Sequence, residues 1–324
     1  MINVLITGAD GFIGSHLCKK LLKNKNYFLV LVDKKNNSRL KNISTLLIRN
    51  KNQIQYLKLD IVKDDLNKLN KFKFKYIYHL ASIVGVSKVN NPLEVSKIII
   101  DGTKSIINLS IKSNAKLLLA STSEIYGKNP NIPWYEDSDR IYGPIHELRW
   151  SYAHSKALSE QYLIYLQKKG DINCVIVRYF NVYGPNQSTN FVVPKNIVSA
   201  LKNNRLTINE SGNQTRSFTY IDDAIEGTVK ACESRKSSGQ IFNLSYPKET
   251  SIFELMNIIQ KNSNKVTKIF YKKSSSIAYF YDLIPRRTPD VSNAKKQLNW
   301  EAKVNLEKGI KKTFLWYKKN INRF

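Results

Sequence analysis

Apolar residues occur along the first half of the chain in short continuous blocks, and stretches with helical spacing separate these blocks. The blocks predict six strands, at residues 3–7, 27–32, 55–59, 76–80, 116–120 and 174–178. The intervening apolar periodicity predicts helices at residues 13–23, 93–113 and 151–168. Continuous apolar strands that alternate with helices are typical of a parallel sheet covered on both faces. The pattern therefore predicts an α/β fold with a doubly wound parallel sheet.

The regular alternation of strands and helices ends after Arg178. Shorter segments follow, with helices predicted at 191–201, 220–234 and 251–261, strands at 207–208 and 241–244, and a helical tail at 292–319 interrupted at Trp300. Such a change predicts a smaller C-terminal lobe that lies over the carboxyl edge of the sheet. We expect residues 1–180 and about 213–243 to form the sheet domain, and about 181–212 and 244–324 to form the substrate-binding lobe.

The chain is strongly basic, with 52 Lys and Arg residues against 25 Asp and Glu residues and a net charge of +27. A basic balance of this size raises the possibility of a nucleic-acid partner. However, the excess is mostly Lys, is spread along the chain and is interleaved with Asn, as in residues 34–37 and 202–204. We therefore expect a solvated basic surface and no nucleic-acid partner. Its positive field favours an anionic small-molecule substrate.

Membrane, disulfide and metal sites find no support in the sequence. No apolar run is long enough to span a bilayer, and the N-terminus lacks the pattern of a signal peptide. Cys18, Cys174 and Cys232 are widely spaced, and no pair of histidines has metal-ligand spacing. We expect a cytoplasmic protein with no metal ion and no membrane partner. His79 and His154 are expected to have packing or surface roles.

A glycine-rich turn at residues 8–14 follows the first strand directly and opens the first helix. Gly8, Gly11 and Gly14 have the spacing GxxGxxG, with Phe12 and Ile13 between the last two. Glycines in this position permit a tight turn and the close approach of a dinucleotide pyrophosphate to the positive end of a helix. The turn therefore predicts a dinucleotide-binding site.

Two acidic residues end the next strands and bear on the choice of dinucleotide. Asp33 closes the second strand, where a carboxylate binds a ribose 2′-hydroxyl and repels a 2′-phosphate. This favours NAD over NADP, although the following Lys34 and Lys35 weaken the preference slightly. Asp60 closes the third strand, where it suits either the adenine amino group or a helix N-cap.

Candidate catalytic residues follow the fifth strand. Tyr152 and Lys156 lie four residues apart, on one face of a predicted helix. An ammonium beside a phenol lowers the phenol pKa, so Tyr152 is a candidate base near neutral pH. Thr122 lies where the fifth strand ends, at the edge of the sheet where ligands bind. Its hydroxyl is expected to share the reacting oxygen of the substrate with Tyr152.

Eight segments in the same order resemble those of extended short-chain dehydrogenases/reductases, in the NAD-dependent nucleotide-sugar epimerase/dehydratase group. They are GADGFIG at 8–14, LDI at 59–61, HLAS at 79–82, LLLASTSEIYG at 117–127, YAHSK at 152–156, RYFNVYGP at 178–185, QTRSFTYIDD at 214–223 and RRTPDVSNAKKQLNW at 286–300. The resemblance implies a Rossmann-type fold and bound NAD. It also implies a homodimer, formed through the helices at 93–113 and 151–168.

The resemblance also implies roles for individual residues. Besides the glycine turn, Asp33 and Asp60, it implies cofactor contacts for Ile61, Leu80, Ala81, Tyr152 and Lys156. Asn181, Val193, Arg216 and Arg287 match positions that contact the nucleotide sugar, which is expected to be UDP-linked. In such enzymes the tyrosine takes a hydroxyl proton while C4 of the sugar gives hydride to NAD⁺. A 4-keto sugar results, and NADH usually returns the hydride.

The residues after Thr122 bear on what happens to the 4-keto sugar. Related 4,6-dehydratases have Asp-Glu where this chain has Ser123 and Glu124, and related 4-epimerases usually have small or hydroxyl residues there. Thr-Ser-Glu followed by Tyr-Gly, together with the segment RWSY at 149–152, is similar to UDP-glucuronate decarboxylases. We therefore expect UDP-glucuronate decarboxylation, with 4-epimerisation of a UDP-sugar as the alternative and dehydration less favoured.

Glu124 and Ser123 are the candidates for holding the carboxylate side of the substrate and for positioning a proton donor. Arg287 matches the proton donor proposed for the decarboxylases, but the high pKa of guanidinium favours an electrostatic and positioning role. A non-catalytic sugar-nucleotide-binding protein and a one-way dehydrogenase remain alternatives. The intact set of Thr122, Tyr152 and Lys156 argues against the first. The second would consume external NAD⁺ in proportion to product.

Overall fold

A computed structural model describes residues 1–85, 89–209, 211–263, 267–272 and 284–324. Its main sheet has seven parallel strands: β1 (Ile2–Thr7), β2 (Tyr27–Asp33), β3 (Ile54–Lys58), β4 (Tyr76–His79), β5 (Lys116–Thr122), β6 (Asn173–Tyr179) and β11 (Ile241–Leu244). Their order across the sheet is β11-β6-β5-β4-β1-β2-β3. The order reverses direction on the two sides of β1, so the sheet is doubly wound. This confirms the predicted Rossmann-type fold.

Helices accompany these strands in the order that the sequence predicts. They are α1 (Phe12–Leu21), α2 (Ser44–Arg49), α3 (Pro92–Ser96), α4 (Gly102–Ser113), α5 (Trp150–Lys169), α6 (Val192–Asn203), α7 (Ile221–Glu233), α8 (Ile252–Ser263), α9 (Ser292–Leu298) and α10 (Leu306–Lys319). The single helix expected at 93–113 contains a π-helical turn, Lys97–Asp101, between α3 and α4. The short helix α2 was not predicted.

Alternate residues of each strand fill two different cores. In β1, Val4 and Ile6 pack on the side of α1 and α7, whereas Leu5 packs on the side of α4 and α5. Burial of both strand faces explains why the strands are continuously apolar in the sequence. Helices therefore cover the sheet on both sides, and the carboxyl ends of the strands remain available for a site.

The C-terminal part of the chain adds short strand pairs and helices to the first of these cores. The short strands are β7 (Val182–Tyr183), β8 (Arg205–Asn209), β9 (Thr215–Ser217), β10 (Thr219–Tyr220), β12 (Glu249–Ser251) and β13 (Lys268–Lys272). They form the pairs β7–β10, β9–β12 and β8–β13. Ile197 of α6, Leu255 of α8 and Ile310 of α10 are completely buried in the same core as Val4.

The break predicted at Trp300 is present, because α9 ends at Leu298 and α10 begins at Leu306. The Trp300 indole donates a hydrogen bond to the carbonyl oxygen of Asp223 on α7 and is nearly completely buried. This contact ties the tail to a helix that packs on the main sheet. Among the described residues, no helix is long and apolar enough to cross a membrane.

Candidate active site

The glycine turn connects β1 to α1, and each of its three glycines is required for a different steric reason. Gly8 has φ +70°, and a Cβ there would lie 2.9 Å from the backbone of Ala81. A Cβ on Gly14 would lie 2.3 Å from the carbonyl oxygen of Gly8. Gly11 is the N-cap of α1 and brings no side chain to the helix end. The first backbone N–H groups of α1 therefore face a position that an anion can approach closely.

The segment after β2 is fastened to the glycine turn. The backbone N–H of Asp10 donates to Asp33 Oδ2 at 3.1 Å, which orients the carboxylate that ends β2. The Asp10 side chain is completely buried and accepts hydrogen bonds from the backbone N–H groups of Lys41, Asn42 and Ile43. The sequence indicated Asp33 but not Asp10, whose partners lie some thirty residues away.

The ends of β3 and β4 complete this side of the site. Asp60 Oδ1 accepts a hydrogen bond from Val62 N at 3.0 Å, so the carboxylate closes a local turn and not a helix N-terminus. Ile61 is buried beside it. Leu80 follows β4, and Ala81 N donates to Thr7 Oγ1 at 3.2 Å. These contacts hold the backbone after β4 against the end of β1.

His79 lies beneath this site and is buried between two threonines. Its Nδ1 is 2.9 Å from Thr7 Oγ1, and its Nε2 is 3.3 Å from Thr103 Oγ1. Burial, with a smaller effect from the charge of Lys156, lowers the pKa of His79 to about 3. The neutral ring is thus a packing group that joins β1, β4 and α4. This agrees with the role expected from the sequence.

The features around the glycine turn fit an NAD dinucleotide. Gly8, Gly11 and the start of α1, with Phe12 and Ile13, would hold the pyrophosphate. Asp33 would accept hydrogen bonds from the adenosine ribose. No group of three or more potential metal ligands occurs among the described residues.

Thr122, Tyr152 and Lys156 meet at the carboxyl end of β5. Thr122 is the last residue of β5, and Tyr152 and Lys156 project from the first two turns of α5. The Thr122 hydroxyl acts to lower the pKa of the Tyr152 phenol, which places the two groups near each other. Lys156 is buried, and its Nζ donates to the carbonyl oxygen of Ala120 at 2.7 Å. Helical spacing on α5 and the strand end together bring about the arrangement that the sequence indicated.

The electrostatics of Tyr152 differ from the sequence-based expectation. Desolvation and the negative charge of Glu124 raise the pKa of Tyr152 above its ordinary value, and the Thr122 hydroxyl opposes them only partly. Burial lowers the pKa of Lys156 to about 8. The raised pKa does not agree with the expectation that Lys156 brings the pKa of Tyr152 near neutrality, and an effect of Lys156 on Tyr152 during catalysis stays a prediction. The Lys156 ammonium is bound to the Ala120 carbonyl, and Tyr152 is a neutral phenol.

Glu124 lies between two guanidinium groups. Its Oε1 is 3.0 Å from Arg287 Nη1, and its Oε2 is 3.0 Å from Arg149 Nη2. Burial acts to raise the pKa of Glu124, but the two arginines outweigh it and lower the pKa to about 2. Glu124 is therefore a carboxylate anion at neutral pH. Ser123 is buried beside it at the start of the short 3₁₀ turn Ser123–Tyr126.

The other residues indicated as substrate contacts divide into two kinds. Arg216 Nη1 donates to the carbonyl oxygens of Thr215 and Ile284, at 2.7 and 2.9 Å, and Asn181 Nδ2 donates to the carbonyl oxygen of Ser217 at 3.0 Å. Both side chains thus meet at strand β9. Val193, in contrast, is buried in the core on α6, which leaves only its backbone suited to a substrate contact.

Sequence reasoning did not single out Arg149 as a site residue. Its side chain is only 11% exposed, which is rare for an arginine away from a partner. The available signal was its place in the RWSY segment, three residues before Tyr152. That position puts it at the N-cap of α5, facing the turn that carries Glu124.

Residues 4–245 match the NAD dependent epimerase/dehydratase family. A UDP-N-acetyl-α-D-glucosaminuronate decarboxylase of Bacillus cytotoxicus is 34% identical, over 98% of both chains. UDP-glucuronic acid decarboxylase 1 of Xenopus tropicalis is 31% identical, over 98% of this chain and 72% of the relative.

Among solved structures, the chain is similar to a UDP-glucuronic acid 4-epimerase of Bacillus cereus in complex with UDP-glucuronic acid and NAD. The identity is 31%, the TM-score is 0.86, and the match covers 98% of this chain and 100% of that one. A UDP-N-acetylglucosamine 4-epimerase of Methanobrevibacter ruminantium has the same TM-score at 27% identity, over 98% and 99% of the two chains. The chain described here belongs to the NAD-dependent epimerase/dehydratase family and is an NAD-dependent enzyme.

Proposed function

We propose that this enzyme decarboxylates a UDP-linked hexuronate of the UDP-glucuronate class through a 4-keto intermediate. The observation that carries the proposal is the position of Glu124 between Arg149 and Arg287, beside Tyr152. Two buried guanidinium groups next to a redox site suit a substrate that carries a carboxylate. The similarity to two uronate decarboxylases supports the same reaction.

The first step is oxidation at C4 of the sugar. Bound NAD⁺ supplies the hydride acceptor in this step. Tyr152 takes the proton of the C4 hydroxyl, and the Thr122 hydroxyl shares that oxygen. Tyr152 must ionise for this purpose, and its pKa is raised in this structure. Lys156, which is buried one helical turn away, provides the nearest positive charge on α5 for stabilising the phenolate.

The second step is loss of CO₂. A ketone at C4 is β to the C5 carboxylate, so the C5–carboxyl bond breaks and its electron pair forms an enolate with C4. A proton then adds to C5. Arg149 and Arg287 would hold the carboxylate and later the enolate charge, whereas Glu124 keeps both guanidinium groups in place. Glu124 itself is ionised at neutral pH and, with both oxygens bound to arginines, is suited to orient these groups or a water molecule.

Two endings of the cycle are chemically consistent with these residues. Return of the hydride to C4 gives a UDP-pentose, and release before the hydride returns gives a UDP-4-keto-pentose with NADH. A catalytic trace of NAD⁺ sustains the first ending, whereas the second consumes NAD⁺ in proportion to product.

Product analysis tests the proposal directly. The purified enzyme is incubated with either UDP-glucuronate or UDP-N-acetylglucosaminuronate, once with a trace of NAD⁺ and once with NAD⁺ in excess over substrate, and CO₂ and nucleotide mass are measured. We expect CO₂ and a nucleotide that has lost the carboxyl group with at least one of these substrates. A product of unchanged mass and inverted C4 would contradict decarboxylation and establish 4-epimerisation.

The 4-epimerase alternative is retained for one observation. The UDP-glucuronic acid 4-epimerase of Bacillus cereus, whose substrate carries the same carboxylate, matches 98% of this chain at 31% identity. Both reactions begin with the same C4 oxidation. They differ in the fate of the carboxylate on C5. The 4-epimerase keeps it, whereas the decarboxylase releases it as CO₂. Loss of water is less favoured, because Ser123 stands where dehydratases have an acid.

We also propose the assembly and the division of labour expected from the sequence. The sheet part, residues 1–180 with about 213–243, would bind NAD, and residues 181–212 with 244–324 would bind the nucleotide sugar. Asn181 of the second part and Arg216 of the first would lie near the nucleotide. Helices α4 and α5 would form the homodimer. Leu158 and Tyr165, which lie on the outer face of α5, are exposed apolar residues that support this interface.

A further inference from the structure

Asp10 makes a set of contacts that extends beyond the packing of the glycine turn. Its completely buried carboxylate accepts the N–H groups of residues 41–43 mainly on Oδ1, with Asn42 N the closest at 2.7 Å. The other oxygen, Oδ2, is 2.6 Å from Lys35 Nζ. A buried carboxylate requires such compensation, so the ion pair with Lys35 and the backbone donors stabilise one another.

The same residue fixes the backbone that carries Asp33 and Lys35. The Asp10 N–H donates to Asp33 Oδ2 at 3.1 Å. From the neighbouring strand, the Tyr56 hydroxyl contacts the carbonyl oxygens of Asp33 and Lys35, at 3.2 and 2.5 Å. Asp10 therefore contacts both the acid that faces the adenosine ribose and one of the two cations that follow this acid in the chain.

We propose that Asp10 determines cofactor specificity by withdrawing Lys35 from the ribose position. The sequence Asp33-Lys34-Lys35 is ambiguous, because an ammonium beside the ribose would attract the 2′-phosphate of NADP, whereas Asp33 repels it. Lys35 remains 40% exposed, so it is near the solvent-accessible edge. To bind a phosphate, the Lys35 ammonium would have to leave the buried Asp10 carboxylate. Among the described residues, no other side-chain cation pairs with that carboxylate.

The substitution Asp10→Asn separates the two functions of the residue. The amide oxygen takes the place of Oδ1 and still accepts the backbone N–H groups of residues 41–43. The amide nitrogen takes the place of Oδ2 and no longer attracts Lys35 Nζ. The loop thus keeps its backbone anchor, and Lys35 is released. Asp10→Asn/Lys35→Met removes the released cation, and Lys168→Met controls for the loss of an exposed lysine far from the ribose position, in the last turn of α5.

Binding of cofactor fragments tests the proposal without any catalytic step. Protein freed of dinucleotide is titrated by calorimetry with 2′,5′-ADP and with 5′-ADP at low salt, and the ratio of the two affinities is compared between variants. Asp10→Asn should shift this ratio about fivefold toward 2′,5′-ADP, the scale of one partly exposed ion pair. Adding Lys35→Met should cancel the shift, and Lys168→Met alone should leave the ratio equal to that of the unmodified protein.

Two outcomes would overturn the proposal. One is an unchanged ratio in Asp10→Asn when its melting temperature matches that of the unmodified protein. The other is a shift that persists in the double variant. If Asp10→Asn does not fold, the single variant Lys35→Met tests the proposal. We expect it to bind 2′,5′-ADP as tightly as the unmodified protein does, because a lysine held by Asp10 adds nothing to 2′-phosphate binding. A loss of 2′,5′-ADP affinity in that single variant would show that Lys35 already reaches the phosphate.

Discussion

Glu124 Oε1 and Arg287 Nη1 are 3.0 Å apart, although 163 residues separate them in the chain. β5 ends at Thr122, and the contact joins the turn after this strand to the segment that precedes α9. Arg149 binds the opposite carboxylate oxygen from the start of α5. One carboxylate thus connects three segments around Tyr152, and a change at Glu124 should affect chemistry more than nucleotide binding.

Replacement of Glu124 by Gln is the most direct test of its role. We expect CO₂ release from UDP-hexuronate to fall about 10²–10⁴-fold, because the group that positions Arg149 and Arg287 loses its charge. Oxidation at C4 should survive, which the absorbance of enzyme-bound NADH would show. The matched control is Glu249→Gln, since Glu249 pairs with the adjacent but exposed Arg286. Equal losses in both variants, or intact turnover in Glu124→Gln, would contradict the assignment.

The same carboxylate should contribute to stability in a pH-dependent way. The pKa of Glu124 is lowered from 4.5 to about 2 in the folded state. A lowered pKa stabilises the fold at pH values above the unfolded pKa, and this contribution is lost as pH falls through the folded pKa. The difference in unfolding free energy between the unmodified protein and Glu124→Gln should therefore shrink from pH 5 toward pH 2, as measured by urea denaturation. A constant difference would argue against the ion pairs.

Local patterns in the sequence were sufficient for the sheet and for the Tyr152–Lys156 pair. Strand periodicity and helical spacing involve neighbouring residues, so a single sequence contains them. The partners of Glu124 and Asp10 were not predictable in this way, because tertiary folding brings them together from distant segments. The raised pKa of Tyr152 in this structure was not predictable for the same reason. Its desolvation and the position of Glu124 depend on packing that spacing does not encode.

Lys156 should make both stability and rate depend on alkaline pH. Burial lowers its pKa from 10.5 to about 8, so the folded protein loses this proton before the unfolded chain does. Stability relative to Lys156→Met should consequently rise between pH 8 and 10.5, by up to about 3 kcal/mol. The rate of C4 oxidation should instead fall above about pH 8, as the cation beside Tyr152 is lost. Thermal melts and pH–rate profiles measure the two trends, and parallel changes would contradict this assignment.

A buried ion pair between β6 and α5 should be important for stability. Arg178 of β6 donates to both oxygens of Glu160 on α5, at 3.1 and 2.6 Å. Arg178→Met leaves the buried carboxylate without its counter-charge, and we expect a loss of about 3–5 kcal/mol in urea denaturation. Glu226→Gln, which breaks a surface pair with Lys230, should change stability by less than about 0.5 kcal/mol. Similar losses in both variants would mean that burial of the first pair has no special effect.

The proposed dimer makes a prediction about the outer face of α5. His154, Leu158, Gln161 and Tyr165 are exposed at helical spacing, and Leu158 and Tyr165 are apolar. Leu158→Glu would bury a charge in the interface and should give a monomer in light scattering at concentrations where the unmodified protein is a dimer. The matched control is Leu315→Glu, which adds the same charge at an exposed leucine on α10. A dimer that survives Leu158→Glu but dissociates in Leu315→Glu would place the interface on α10 instead.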